Sequence, residues 1–196
     1  MKLGFLASHR GSNMQAVIDA CKSGAIAASP VVVISNNSDS AALQRAAAEG
    51  IAAYHISAKT AGTEEAADRK IALTLQEHSV DLVLLAGYMR KVGRAVLSSF
   101  PDRVINIHPA LLPKYGGQGM YGDRVHTAVL ENKDSETGVT IHLVNEEYDR
   151  GRILSQTIVP VEKDDDVASL SKRVLAAEHK LYTETLAGII EGSIQL

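Results

Sequence analysis

Apolar residues along this chain gather in short runs of strand length, and these alternate with longer segments of helical period. The runs at 3–7, 31–35, 52–56, 81–86 and 103–107 are rich in Val, Ile, Leu and Ala and carry few charges, the composition of strands covered on both faces. Between them, 13–22, 41–49, 64–77 and 91–98 place Ala, Leu, Gln, Glu and Arg at helical spacing. The alternation predicts an α/β fold built on a mainly parallel, doubly wound, Rossmann-like sheet. Past 136 the period changes. Residues 137–144 alternate, with Val139, Ile141 and Leu143 on one face, and 152–160 form a second β-type run. The short link Tyr148-Asp149-Arg150-Gly151 between them predicts an antiparallel hairpin. The segment 168–191 reads as one long helix with Leu170, Val174, Ala177, Leu181 and Leu186 inward. No repeat, low-complexity tract or linker interrupts the chain, so one domain over 1–196 is expected, with halves 1–107 and 108–196.

Composition narrows the function classes. With 196 residues and a net charge of −3 there is no basic field for a nucleic-acid backbone, and no dense Lys/Arg stripe. The single cysteine, Cys21, excludes an internal disulfide and falls on a helix, where a small apolar packing role is expected. No 18-residue apolar run or charged signal head is present, so a soluble protein of the reducing cytoplasm is expected. His9, His55, His78, His142 and His179 show no metal-ligand spacing with one another, and no metal is implied.

The chemistry concentrates at Asn106-Ile107-His108-Pro109, where the last parallel strand ends. Side chains alternate along a strand, so Asn106 and His108 share a face and can address one reacting atom. Asp149, on a connection, can complete an amide, imidazole and carboxylate set able to stabilise an oxyanion and move a proton. No Ser or Cys nucleophile is evident beside them, which points to acyl transfer in which the substrate supplies the nucleophile. The plain alternative is a strand end whose polar side chains cap nearby backbone. Against it stands the glycine-rich stretch 115–122 directly after the strand, where α/β proteins place binding loops and lids. At the other end, the first strand runs through Ser8-His9-Arg10 into Gly11, Ser12 and Asn13 at a helix start, an entry suited to a single phosphate. Neither Walker A nor G-x-G-x-x-G spacing is present, so ATP and dinucleotides are disfavoured. Ser12 or Asn13 could instead serve only to cap the helix.

Together these segments resemble the glycinamide ribonucleotide formyltransferase family over nearly the whole length. Gly11-Ser12-Asn13 is similar to its phosphate loop, Leu85-Ala86-Gly87-Tyr88-Met89-Arg90 to its folate-pocket segment, and Asn106 through Pro113 to its catalytic strand end. Val144-Asn145-Glu146-Glu147-Tyr148-Asp149 is similar to its acidic loop, and Ala177-Glu178-His179 to its substrate-side helix. The resemblance implies formyl transfer from 10-formyltetrahydrofolate, as co-substrate, to the amine of 5-phosphoribosylglycinamide. It implies Asn106, His108 and Asp149 as catalytic, with Asp149 raising the pKa of His108 and keeping it protonated. Gly11, Ser12, Asn13, Pro109 and Glu178 are implied to bind the phosphorylated substrate, although a solvated helix charge is the plain reading of Glu178. Met89, Arg90, Lys91, Val92, Asn106, Asn145, Glu146, Glu147, Tyr148 and Asp149 are implied to bind the folate. The halves would then serve the phosphate and the folate respectively. Partners are small molecules, with no nucleic acid or membrane, and homodimer formation is left open.

Two departures stand out. Thr63-Glu64-Glu65 puts an acid where the family often has an arginine for the folate's glutamate tail, leaving Lys59 or Arg69 as substitutes, and 115–122 with His126 is longer than in some members and reads as a mobile lid. A formyltetrahydrofolate deformylase and a non-catalytic phosphoribosyl or folate-binding module are the rival readings. The methionyl-tRNA and sugar-nucleotide formyltransferases look longer.

Overall fold

A computed structural model describes residues 1–196, which divide into two compact units, Met1–Asn106 and Ile107–Leu196. The strand order is β3-β2-β1-β4-β5-β6-β7. In the first unit β1 (Lys2–Leu6), β2 (Ser29–Ser35), β3 (Ala52–His55), β4 (Leu82–Leu85) and the residues up to Asn106 of β5 (Val104–His108) pair in parallel, with β1 between β2 and β4. The predicted strands are all present. Leu3, Phe5, Leu6, Val32 to Ile34, and Leu82 to Leu84 are fully buried, and each such aliphatic or aromatic side chain contributes roughly 1.5–3 kcal/mol of hydrophobic stabilisation.

Helices α1 (Ser12–Lys22), α2 (Ala41–Ala48) and α4 (Glu64–Glu77) match the predicted periods. Cys21 on α1 is half-buried, and burial pushes its thiol pKa up. Two differences have local causes. A one-turn helix, α3 (Ala58–Ala61), stands in what pattern alone reads as loop; Ser57 and Thr60 form a reciprocal capping box there. Helix α5 (Arg94–Ser99) begins three residues later than the predicted 91, because the Asp68 carboxylate of α4 takes the N–H groups of Gly93 (2.9 Å) and Ala95 (2.7 Å). A Cβ at Gly93 would run into the Asp68 carboxylate, so only glycine allows this cap.

In the second unit β6 (Glu136–Leu143) and β7 (Ile153–Pro160) form the expected antiparallel hairpin. Both faces of β6 are covered: Val139, Ile141 and Leu143 on one, Gly138, Thr140 and His142 on the other. On that second face Thr140 Oγ1 donates to the Ala110 carbonyl (2.6 Å) and accepts from Leu112 N–H (3.0 Å), pinning the chain that leaves β5. The span 115–131 is not one long loop. Residues 123–131 form α6, with Val125, His126 and Val129 buried, so His126 belongs to a packed helix rather than to a lid. The single period of that amphipathic turn is hidden by the glycines before it.

Helix α7 (Val167–Glu191) is capped by Asp166 and Ser169, and Arg173 binds both oxygens of Asp165 at 2.6 and 2.8 Å, which holds that carboxyl far below the usual range. Its buried stripe runs Leu170, Val174, Glu178, Leu181, Tyr182, Thr185, Leu186. The expected inward residue Ala177 is only half-buried, because one turn after Val174 the helical period lands on Glu178.

Candidate active site

Asn106 and His108 stand at the carboxyl end of β5, the end at which open α/β sheets carry their ligands. Asn106 is half-buried and pairs in register with Leu85; His108, two positions on along the same face, is 4% exposed.

The second unit brings a cluster together around that imidazole. His108 Nε2 faces the Tyr115 carbonyl at 2.7 Å, and Nδ1 faces Asp149 Oδ2 at 3.7 Å. The carboxylate is shared: Gly117 N–H donates to Oδ2 (2.9 Å), and His142 Nε2 lies 3.4 Å from Oδ1 while its Nδ1 faces the Leu143 carbonyl at 2.8 Å. Asp149 sits in the left-handed region (φ 55°), which turns its side chain back from the hairpin link onto these groups. The glycines of the loop have a spatial reason here. A Cβ at Gly116 would meet Leu112 at 2.6 Å and Asp149 Cβ at 3.2 Å, and Gly117 has φ 104°. The start of the glycine-rich stretch is therefore bound to the carboxylate.

The electrostatics differ from the sequence expectation. Burial pushes the His108 pKa below its ordinary value; Asp149 and the Tyr115 carbonyl oppose that shift, while neighbouring His142 adds to it. The expected upward shift is overturned because the ring is nearly dry and its carboxylate is divided between two imidazoles and a backbone amide. Asp149 itself is resisted by burial yet ends below the usual carboxylate range, held there by His142, His108 and Gly117. His142 is the group that sequence reasoning missed. The period of two on β6 was the available signal, since His142 follows Gly138 and Thr140 on the face away from Val139 and Ile141.

Of the other predicted residues, Pro109 follows β5, half-buried, and Asn145, Glu146, Glu147 and Tyr148 form an exposed loop after β6, turned by Asn145 Oδ1 accepting from Glu147 N–H (3.0 Å). Glu178 is 9% exposed and close enough to fully buried Tyr182 to help raise its pKa, so the solvated-charge reading does not hold. In the first unit, Gly11 is the N-cap of α1 with φ 67°, and as a glycine it offers no side-chain cap. A Cβ at Gly11 would lie 2.9 Å from Ala42 Cβ. Met89, Arg90, Lys91 and Val92 follow β4, with Met89 N–H donating to Ser8 Oγ (2.7 Å) and only Val92 buried. Beside them opens a cleft of about 1040 Å³, lined among others by Arg10, Lys59, Tyr88, Glu64 and Arg90. His9 lines it too. Glu64 faces Arg90 at 3.5 Å, and of the two substitutes considered for the tail, Lys59 lines this cleft. Burial and the nearby Glu64 and Asp68 push the Tyr88 pKa up to about 12. No group of three or more His, Cys, Asp or Glu side chains is placed to hold a metal ion, and no helix is long and apolar enough to cross a membrane.

A doubly wound sheet with a buried histidine at the end of a parallel strand and an aspartate brought against it from the hairpin link has the frame of an α/β enzyme. The chain belongs to the formyl transferase family, whose model matches residues 1–186. It is similar to the phosphoribosylglycinamide formyltransferase of Escherichia coli strain K12, 37% identical over 100% of this chain and 90% of that protein. It is also similar to the chloroplastic phosphoribosylglycinamide formyltransferase of Arabidopsis thaliana, 40% identical over 99% of this chain and 67% of that protein. Among solved structures, glycinamide ribonucleotide transformylase 1 from Symbiobacterium toebii superposes with a TM-score of 0.93 at 38% identity, over 100% of this chain and 90% of that one.

Proposed function

We propose that the protein transfers the formyl group of 10-formyltetrahydrofolate to the primary amine of 5-phosphoribosylglycinamide, a step of purine biosynthesis in the cytoplasm. Formyl folate acts as a co-substrate that leaves as tetrahydrofolate. One observation carries the mechanism: a nearly dry imidazole whose Nε2 is committed to a backbone carbonyl and whose Nδ1 faces a carboxylate. With its pKa below the ordinary value, His108 is neutral at pH 7, protonated on Nε2, and offers the Nδ1 lone pair.

The uncharged amine attacks the formyl carbon, forming the C–N bond and moving the carbonyl electron pair onto oxygen. Asn106 donates its amide N–H to that oxyanion, an effect of about 3 kcal/mol for one well-placed donor. The proton released from the attacking nitrogen passes to His108 Nδ1. The imidazolium so formed is stabilised by Asp149, 3.7 Å away. When the tetrahedral intermediate collapses, the folate nitrogen leaves with the bonding pair and takes the proton from His108, which restores the neutral ring.

Gly11, Ser12 and Asn13 hold the ribose phosphate at the start of α1, and Pro109 and Glu178 contact the same substrate. Met89, Arg90, Lys91, Val92, Asn145, Glu146, Glu147 and Tyr148 receive the folate. Incubating the purified protein with formyl folate, with and without the ribotide, tests the reading. Folate release that requires the ribotide is expected. Release at the same rate without it makes the protein a hydrolase, and saturable binding with neither makes it a binding module.

A further inference from the structure

Tyr115 is tied down at both ends. Its carbonyl takes the His108 Nε2 contact at 2.7 Å, while its phenol donates to Asp134 Oδ2 at 2.7 Å and accepts from Asn132 Nδ2 at 3.0 Å. Lys114 closes the arrangement, with Nζ 2.8 and 2.7 Å from the two Asp134 oxygens and 5.1 Å from the Tyr115 ring centre. Asn132 is itself fixed to the end of α6 through the Ala128 carbonyl (2.9 Å). Between these anchors the Tyr115 backbone adopts φ 56°, a left-handed conformation that bulky residues seldom take. Such a conformation persists where surroundings over-determine it. Here they do so at both ends, through the phenol's bonds to Asp134 and Asn132 on one side and, on the other, through Gly117 N–H, which donates to Asp149 Oδ2.

We propose that the Tyr115 phenol, gripped by Asp134, is a positioning device for the reaction: it aims the Tyr115 carbonyl at His108 Nε2 and so fixes the tautomer and ring orientation that leave Nδ1 for the substrate proton. The proposal rests on the transferase reading given above. Which nitrogen of a histidine carries the proton is set by the bond that the other nitrogen makes. A carbonyl accepts only, so it holds the proton on Nε2. Released from the phenol's grip, residue 115 can leave the left-handed region, the carbonyl turns away, and the ring divides between two tautomers, one of which presents Nδ1–H and cannot accept.

The test uses the full chain with Tyr115→Phe and Asp134→Ala, each alone and together. Each single variant is expected to lower kcat about tenfold with KM for both substrates changed less than twofold, and the double variant is expected to be no worse than either. Asp134→Asn, whose amide oxygen still accepts from the phenol, is expected to keep at least a third of the activity. Nitrogen-15 shifts of the His108 ring, assigned with His108→Gln, supply a readout that needs no turnover. The native ring is expected to show a protonated Nε2 and an unprotonated Nδ1, and Tyr115→Phe to move both towards their average. Unchanged ring shifts in folded Tyr115→Phe and Asp134→Ala overturn the proposal, as does additive loss in the double variant. Altered shifts in a protein without transferase activity would leave this device standing and remove the reading of the reaction instead.

Discussion

Arg90 and Glu64 in the first unit face each other at 3.5 Å with more than half of each side chain exposed; His108 and Asp149 in the second unit are 3.7 Å apart with 4% and 10% exposed. Separation is nearly equal, and the consequence is opposite. Water screens the first pair, so it can open for a ligand at little cost. The second cannot be screened, and burial there outweighs the carboxylate's attraction, which leaves the histidine neutral beside a charged aspartate. A short distance between opposite charges therefore says little until the solvent around it is known. One arrangement suits grasping a changing ligand, the other storing and returning a proton.

The sharpest way to break this comparison is to remove charge from the buried pair. Asp149→Asn is expected to lower kcat by about a hundredfold or more, because the imidazolium formed during reaction loses its counter-charge. Asn106→Ala is expected to do the same through the oxyanion. Steady-state kinetics check both, and a near-normal kcat in either removes that residue from the mechanism.

Next in size is the response to pH. Because the His108 pKa is depressed, the acid limb of kcat is expected to lie below pH 6.5, and in Asp149→Asn the residual activity should show it lower still, since an opposing pull is gone. Stability follows the same sign. A histidine held neutral contributes stability that is complete above its unfolded pKa near 6.5 and is lost as pH falls through the folded value. The Asp149 contribution is lost only at lower pH, below about 3.8. Tm should be flat above pH 7 and begin to fall below 6.5, and His108→Gln should shrink that first decline without abolishing it, because burial also lowers the pKa values of His126 and His179. An acid limb above 6.5 would mean that charge attraction, not burial, governs the ring.

Smaller effects sharpen the first unit's side. Ser12→Ala is expected to raise KM for the phosphorylated substrate about threefold to tenfold and to leave the folate KM unchanged; equal changes in both would argue against a dedicated phosphate loop. Asp68→Ala removes the carboxylate that caps α5 and is expected to cost about 1 kcal/mol in urea unfolding. It should also raise the folate KM modestly, because the cap fixes where the 89–92 segment ends.

The order of elements, the faces of β5 and β6 and the grouping of Asn106 with His108 were all legible in the chain, since each depends on periods of 2 or 3.6 that neighbours in sequence must obey. The turn from β1 into α1 was legible for the same reason, as Gly11 supplies a conformation its neighbours cannot. Helix α6 was not, because its nine residues follow seven in which four glycines blur the period. His142 was visible as a position but not as a partner, and the Asp68 cap on α5 joins residues 25 apart.

Sequence alone thus settled which side chains share a face, because alternation and helical pitch are local geometry. Only the tertiary structure decided which of them meet and how wet they are. The protonation of His108 depends on that second kind of fact: burial, a carbonyl seven residues on, and a carboxylate that a second histidine also shares. Coulomb attraction and desolvation both act through space, and no spacing along the chain measures either.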